Sequence, residues 1–229
     1  MKPCTNHKPE ESIAAHFAEA VEWRRQLHRN PQPAWLEFFA TAFVAEKLDA
    51  WGYDTDKATI PERLGLTLTP RHEQEAARAM SEAKLIPGQF VLIAPTATGL
   101  HQGRIKVWPH FDALTRALQD QGMRVVACPP PAEQDPARMA APTAEVLAPL
   151  GLGAYCALAR NCALVICNDS GVSHLCAAVG ARQVTLFGVT NPARTGPWTP
   201  DSVNLGQNGQ WPSAHEVISR VVQILQSSG

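Results

Sequence analysis

Residues 168–174 carry the side chains in this sequence that are best suited to hold an anion. The segment reads NDSGVSH and lies between apolar runs at 163–167 and 183–187. This order predicts a strand, a tight turn, a helix of small residues and a second strand. Because the N–H groups of a first helical turn have no partner inside the helix, they favour a phosphate in front of them. Donor side chains at the same turn are Ser170, Ser173 and His174. We therefore expect a ligand that bears phosphate.

Two residues of this turn also have structural interpretations. Asp169 either holds the loop for the ligand or forms an Asx-turn or helix cap, and the two roles are compatible. His174 lies within one turn of the expected phosphate, but a histidine there can also be a hydrogen-bonded core residue. Gly171 begins the backbone N–H groups that would face the phosphate oxygens.

Polar loops follow three other apolar runs. The first loop contains Thr96 and Thr98, whose small side chains let the backbone approach a ligand, and then Lys106 just before a predicted helix. Lys106 can neutralise a phosphate, or it is a surface lysine in a solvated loop. In the second loop, Glu133 can accept hydrogen bonds from ribose hydroxyls, or it begins a helix. The third loop begins at Gly188, which favours close approach of the backbone to a ligand.

The elements that must position these loops follow from hydrophobic periodicity. Strands are predicted over 90–94, 124–128, 145–148, 163–167 and 183–187, with 66–68 as a further short strand. Helices are predicted over 71–84, 109–121, 154–161 and 213–226, the last one capped by Ser213 and Glu216. Near the N-terminus, one helix is predicted from a cap at Ser12 to the break at Asn30, and another over 35–51.

Strands that alternate with helices predict an α/β fold with a doubly wound parallel sheet. In such a sheet, ligands lie at the carboxyl ends of the strands, where all four polar loops fall. We predict two domains: residues 1–70 as a helical segment and linker, and residues 71–229 as the domain that contains the sheet.

Composition excludes several classes of protein. Hydrophobic residues make up 45% of the 229 residues and charged residues 18%, so a packed core is expected rather than disorder. A net charge of −1 argues against a nucleic-acid partner. We expect a cytoplasmic protein, because neither a signal-peptide core nor a run of about 20 apolar residues is present. Six cysteines without a C-x-x-C pair are expected to be reduced core residues.

At this point the motifs resemble a known family. The residues that carry the resemblance are Lys106, Trp108, Pro109, Phe111, 168–171, His174, Ala177, Ala178, Gly180, 186–188, Thr190, Pro192 and Pro197. In order and spacing they are similar to glycosyltransferase family 9, the ADP-heptose:lipopolysaccharide heptosyltransferases and their relatives. The resemblance covers residues 88–228. It implies a Rossmann-like nucleotide-sugar-binding domain, the C-terminal half of a GT-B fold.

The resemblance also implies roles for these residues. Lys106 and His174 would be catalytic, offsetting the charge of the leaving diphosphate together with the helix N-terminus. The resemblance further implies that Asp169, Ser170, Gly171 and His174 bind the diphosphate and sugar of the donor and that Glu133 holds the ribose. Together with residues taken from the polar loops, the predicted donor-binding residues are Thr96, Thr98, Glu133, Asp169, Ser170, Gly171, Ser173 and Gly188. No metal and no other cofactor is implied. The implied partners are an ADP-sugar donor and a lipopolysaccharide-core acceptor, with peripheral contact to the membrane that holds that acceptor.

Residues 12–56 resemble a different family, the N-terminal start of the zinc amidohydrolases related to aminoacylase and p-aminobenzoyl-glutamate hydrolase. The residues that carry this likeness include 23–31, Glu37, 44–48 and 51–53. The zinc ligands of that family have no counterpart that we identify in the sequence. The aromatic residues of the two N-terminal helices predict packing on the sheet domain or on a second chain, either a partner or another copy.

Three functions remain open at this stage. The first is a glycosyltransferase that moves a sugar from its nucleotide carrier to lipopolysaccharide core. The second is a nucleotide-binding remnant without catalysis, since no acceptor domain or general base is identified. The third is a truncated metal amidohydrolase.

Overall fold

The protein is described as a computed structural model over residues 9–29, 38–52, 65–101, 103–207 and 209–227. It divides into two compact units, residues 1–60 and residues 61–229. The domain boundary predicted between residues 70 and 71 stays a prediction. The linker predicted between the two domains, residues 53–70, lies largely on residues 53–64, which are outside the described part.

The first unit contains helices α1 (Pro9–Arg29) and α2 (Phe38–Ala50). The ring of Trp23 in α1 contacts the ring of Trp51, the residue directly after α2, with centroids 5.5 Å apart. The prediction that Ser12 caps α1 is wrong, because the helix begins at Pro9. Proline suits the first position of a helix.

The helical spacing of Ile13, Phe17 and Val21 predicts an apolar face on α1. Phe17 is nevertheless 66% exposed, and Val44 and Trp51 are exposed as well. Trp35 and the side chains of Phe38 and Phe39 lie outside the described part. The expected packing of this aromatic surface on another domain or chain stays a prediction.

The second unit contains the sheet and its helices. Its strands are β1 (Phe90–Ala94), β2 (Leu100–His101), β3 (Arg104–Ile105), β4 (Arg124–Ala127), β5 (Glu145–Val146), β6 (Leu164–Asn168), β7 (Gln183–Leu186) and β8 (Ser202–Leu205). Its helices are α3 (Pro70–Glu82), α4 (Phe111–Gln119), α5 (Gln134–Ala140), α6 (Leu152–Asn161), α7 (Gly171–Ala178), α8 (Pro192–Thr195) and α9 (Ala214–Gln226). Among the described helices, none combines the length and the apolar character needed to cross a lipid bilayer.

Six of these strands form one sheet in the order β5-β4-β1-β6-β7-β8, and every neighbouring pair is parallel. Strands β1 and β6 lie at its centre and are buried on both faces, which explains why they read as continuous apolar runs. Counted along the chain, this is the strand order 3-2-1-4-5-6 of the Rossmann fold. The prediction of a doubly wound parallel α/β sheet is confirmed.

Helices cover both faces of the sheet. On one face α3, α6 and α7 pack around Met80, Leu92 and Leu158. On the other face α4 and α9 pack around Leu118 and Val221. Ser213 caps α9 by accepting a hydrogen bond from the Glu216 N–H at 3.2 Å, as the sequence predicted.

The structure differs from the predicted elements at a few places. Residues 66–68 are not a strand, and the backbone of Leu66 donates to the Ala178 carbonyl outside any ladder. Helix α4 begins at Phe111, after Pro109, rather than at 109. Strand β8 and the β2–β3 hairpin were not predicted. Both are short, and β8 alternates polar with apolar residues at the edge of the sheet, so no apolar run marks it.

The cysteines of the second unit are core residues. Cys128, Cys156, Cys162, Cys167 and Cys176 are free thiols, and all but the half-buried Cys162 are buried. Burial raises the pKa of Cys128 to about 11 and the pKa values of Cys162 and Cys167 to about 12. These thiols are therefore protonated at neutral pH, which makes them poor nucleophiles. Cys4 lies outside the described part.

Candidate functional site

A cleft opens at the carboxyl ends of β1 and β6. Its volume is about 380 Å³, and its lining includes residues 93–99, Lys106, Glu133 and 170–172. After β1 the chain turns toward β4, whereas after β6 it turns toward β7, so the direction of winding reverses between these neighbours. In open α/β sheets such a switch point is where ligands bind. The loops that the sequence singled out after β1, β4 and β6 meet here.

Lys106 brings a positive charge to the wall of this cleft. Its Nζ lies 3.5 Å from Oδ2 of Asp169, and the two side chains are 20% and 5% exposed. The ammonium group is thus partly open to the cleft, while the carboxylate lies behind it. Ion pairs in a poorly solvated place are weakly screened. The attraction of Asp169 therefore holds the Lys106 ammonium group close to the carboxyl ends of the strands.

Asn168 fixes the loop that carries Lys106. It is fully buried at the end of β6, where its Oδ1 accepts from the Trp108 N–H at 2.9 Å and its amide donates to the Ala94 carbonyl at 3.3 Å. One side chain therefore ties the end of β1 to the residue two places after Lys106. The sequence placed Asn168 in the ligand turn but did not predict this structural role.

Asp169 accepts further hydrogen bonds from the loop after β7. The Thr190 hydroxyl donates to Asp169 Oδ2 at 2.5 Å, and the Thr195 hydroxyl lies 3.4 Å from the same oxygen. Asp169 and Thr190 are only 3% and 4% exposed, and neither lines the cleft. The buried Asp169 carboxylate thus connects Lys106 to the loop after β7. Sequence reasoning placed the loop that carries both threonines at this edge, but it did not predict their contacts with Asp169.

Glu133 and Thr96 form a pair on the opposite wall. The Thr96 hydroxyl donates to Oε2 of Glu133, and both residues line the cleft, as Thr98 does. Glu133 ends a 3-10 turn (Pro131–Glu133) directly before α5. It therefore lies at the start of a helix and also lines the cleft, so the two interpretations of this residue are compatible. A carboxylate at this strand end can accept hydrogen bonds from a pair of vicinal hydroxyls.

The N-terminus of α7 faces the cleft through Ser170 and Gly171. Ser170 is the N-cap, and its hydroxyl accepts from the Val172 N–H at 3.3 Å. Ser173 is fully buried outside the cleft lining, where its hydroxyl donates to the Ser170 carbonyl at 2.8 Å. The structure thus places Ser170 and Gly171 at the cleft, whereas Ser173 supports the turn from behind.

His174 lies on the exposed side of α7, one turn from the cap, and is not part of the cleft lining. A core role is therefore excluded for this histidine. Its expected contact with a ligand stays a prediction, since a ligand that extends from the cleft over the end of α7 would have to reach it.

Gly188 was predicted to approach the ligand, but the structure shows that its missing side chain makes room for Trp211. A Cβ built on Gly188 would lie 2.0 Å from the Trp211 ring, and Gly188 is not part of the cleft lining. Its role in this structure is packing.

Replacing Gly188 by alanine should therefore lower the free energy of unfolding by about 1–3 kcal/mol, because the tryptophan ring must move to admit the methyl group. Urea denaturation checks this, with Gly171→Ala as the control, since nothing lies within 4 Å of a Cβ at Gly171. Equal stability of Gly188→Ala and the unmodified chain would contradict the packing role.

The inner wall of the cleft is apolar and was not foreseen. Cys128, Leu150, Leu152 and Tyr155 contribute to it, the last two from α6. Such a wall suits a planar ring rather than a phosphate. The cleft thus combines an apolar part with a carboxylate, a lysine and a helix N-terminus.

Comparison with known proteins gives consistent relatives. The model of glycosyltransferase family 9 (heptosyltransferase) matches residues 3–222. Over 144 residues, the chain is 29% identical to lipooligosaccharide heptosyltransferase 2 of Haemophilus influenzae, which covers 58% of this chain and 41% of that protein. The structure of E. coli ADP-heptose lps heptosyltransferase II aligns with a TM-score of 0.57 at 20% identity, covering 72% of this chain and 54% of the other. The glycosyl transferase family 9 structure from Veillonella parvula gives 0.65 at 18% identity, with 82% and 60% covered.

The chain is shorter than these relatives and spans between 41% and 60% of their length. The structural likenesses show the fold, which is that of the GT-B heptosyltransferases. The family match also includes residues 12–56, which resemble the amidohydrolases. Within the described ranges, His, Cys, Asp and Glu side chains do not gather in groups of three or more that could hold a metal ion. Since the family model matches nearly the whole chain, this protein belongs to glycosyltransferase family 9 (heptosyltransferase).

Proposed function

We propose that the cleft at the ends of β1 and β6 binds an ADP-linked sugar of the heptose type. The observation that carries this proposal is the position of Lys106, held by Asp169 at the switch point of the sheet and beside the N-terminus of α7. A cation and a helix N-terminus on one side of a cleft are what a diphosphate requires. One solved relative is the ADP-heptose lps heptosyltransferase II of E. coli, which supports the choice of nucleotide.

Different residues of the cleft bind different parts of this ligand. The apolar wall that includes Tyr155 takes the base, and Glu133 with Thr96 takes the ribose hydroxyls. The backbone of residues 96–98, Ser170, Gly171 and Lys106 hold the phosphates. We further propose that Asp169, Ser173 and Gly188 act indirectly, by supporting the loops, and that His174 meets the sugar or the outer phosphate.

We propose that the chain takes part in transfer of this sugar to a hydroxyl of lipopolysaccharide core. The bond between the anomeric carbon and the diphosphate oxygen breaks, the acceptor oxygen bonds to that carbon, and ADP leaves with the bonding electrons. Lys106 and the α7 N–H groups offset the charge that develops on the leaving oxygen. The acceptor hydroxyl must also lose its proton to a base, and we assign that base to no described residue.

The acceptor and the setting of the reaction belong to the same proposal. An activated nucleotide sugar is available in the cytoplasm, so we place the reaction there, at the surface of the membrane that carries the acceptor. The acceptor side would come from the first unit, from a partner chain or from a second copy.

Binding of the nucleotide without transfer is the second candidate function. It needs only the donor cleft, whose lining lies within the described residues. Positioning both substrates supplies a large part of the rate in a transfer reaction, and a donor cleft alone does not supply it. Sugar transfer that is lost in Lys106→Ala would decide for the transferase, whereas nucleotide binding without turnover would decide for the second function.

The test of the donor site is isothermal titration of the protein with ADP, UDP and GDP. We expect saturable binding of ADP in preference to the other two, and a loss of affinity of about threefold to tenfold in His174→Ala. A chain that binds no nucleotide, or binds all three equally with no effect of His174→Ala, would contradict the proposed donor site. Gln223→Ala on α9, away from the cleft, serves as the surface control.

A further inference from the structure

The hydroxyl of Thr190 is buried against the carboxylate that holds Lys106. It donates to Asp169 Oδ2 at 2.5 Å, and the same oxygen lies 3.5 Å from Lys106 Nζ. Neither Thr190 nor Asp169 lines the cleft. The contact therefore acts on a ligand only through Lys106.

Of the two threonine hydroxyls near Asp169 Oδ2, that of Thr190 is the closer one. Thr195 lies at 3.4 Å and is placed equally well, at 3.3 Å, to donate to the Asn191 carbonyl. One hydroxyl has one proton to donate, so Thr195 divides it between two acceptors. The Thr190 hydroxyl is thus the principal neutral donor that the structure gives to Asp169 Oδ2.

A phosphate in the cleft and Asp169 compete for the same ammonium group. When Lys106 turns toward a phosphate, Asp169 loses its cation while it stays only 3% exposed. A buried carboxylate that loses its cation is costly, because burial restricts the water that could replace it. The Thr190 hydroxyl remains on the carboxylate in this state and lowers that cost.

We propose that Thr190 is a positioning residue that releases Lys106 from Asp169 to the phosphates of the donor. By stabilising the carboxylate, it weakens the hold of Asp169 on the lysine before the ligand binds and keeps the carboxylate hydrogen-bonded afterwards. This inference rests on the proposed function for its ligand, but not for the contacts themselves. It makes the loop after β7 part of the diphosphate site, although that loop does not touch the cleft.

The direct test compares ADP with adenosine in titrations of Thr190→Val, which keeps the shape of the side chain and removes the hydroxyl. We expect ADP affinity to fall about tenfold and adenosine affinity to stay unchanged, because only the phosphates draw on Lys106. Thr190→Ser restores the hydroxyl and should recover ADP binding to within about twofold of the unmodified chain. An equal loss for ADP and adenosine would show general damage to the cleft and overturn the inference.

Thr185→Val is the matched control. Thr185 is fully buried in β7, and its hydroxyl lies 3.9 Å from the Cys167 sulfur rather than against Asp169. This variant loses a buried hydroxyl from the same strand and loop system. The ratio of ADP to adenosine affinity should stay that of the unmodified chain, and a fall as large as that of Thr190→Val would overturn the specific role of Thr190.

A second readout needs no nucleotide. Methyl acetimidate labels free lysine amines, and mass spectrometry gives the rate for Lys106 relative to the exposed Lys84. We expect this ratio to fall about threefold or more in Thr190→Val, because Asp169 holds the ammonium group more firmly, and to recover in Thr190→Ser. An unchanged ratio overturns the inference. A reduced ratio in a chain that binds no ADP leaves the inference standing and removes the proposed function instead.

Discussion

Removal of the lysine side chain in Lys106→Ala is expected to weaken ADP binding about 30-fold to 100-fold. Hydrogen bonds that involve a charged group contribute about 1.5–3 kcal/mol each, and the two phosphates would lose the cation that the cleft provides. Isothermal titration at constant salt measures the change. Adenosine, which carries no phosphate, should bind Lys106→Ala and the unmodified chain within about twofold of each other.

Two controls keep this result specific. Lys84→Ala removes an exposed lysine of the same unit outside the cleft lining, so it matches the change in net charge without touching the site. Thermal unfolding of Lys106→Ala accounts for the second effect of the substitution, the loss of the ion pair with Asp169. If ADP binds Lys106→Ala as tightly as Lys84→Ala, the phosphates do not lie where we propose.

The central part of the fold could be predicted from the sequence because burial itself produces the signal. Strands β1 and β6 are covered by helices on both faces, so all their positions except Asn168 at the end of β6 are apolar. Their bounds were predicted to within one residue. The turn into α7 was equally clear, since the N-cap Ser170 follows directly after a buried strand. Lys106 was predicted as a candidate phosphate ligand because it lies in the loop between a predicted strand and a predicted helix.

The features that sequence reasoning missed depend on contacts between distant residues. Asp169 was expected at the ligand, and only the fold shows that Thr190, 21 residues away, lies against its carboxylate. The role of Gly188 depends likewise on Trp211, whose ring fills the space of the missing side chain. Spacing along the chain predicts which loops reach the same edge of a sheet, but it does not predict which side chains in those loops face one another.

The largest expected loss of stability is that caused by replacing Trp108. This residue is buried in the core and lies two places after the cleft residue Lys106. Its Nε1 donates to the Pro212 carbonyl at 2.8 Å, and its ring meets Phe111 edge to face at 5.4 Å between centroids. Only 1% of the residue is exposed. Trp108→Ala should lower the free energy of unfolding by about 3–5 kcal/mol, through the cavity and the unpaired carbonyl. Urea denaturation followed by far-UV circular dichroism measures this loss.

Trp108→Phe separates the packing of the ring from the hydrogen bond. It keeps an aromatic ring against Phe111 and loses the Nε1 donor, so we expect about 1–2 kcal/mol of destabilisation and a cleft that still binds ADP. In Trp108→Ala, by contrast, the loop that carries Lys106 two residues earlier loses the packing of the ring and keeps only the backbone hydrogen bond from residue 108 to Asn168. ADP affinity should therefore fall even where the chain remains folded. Equal losses in the two variants would mean that the indole hydrogen bond, and not the volume of the ring, holds this loop in place. The connection from the core to the cleft would then run through the backbone of Pro212.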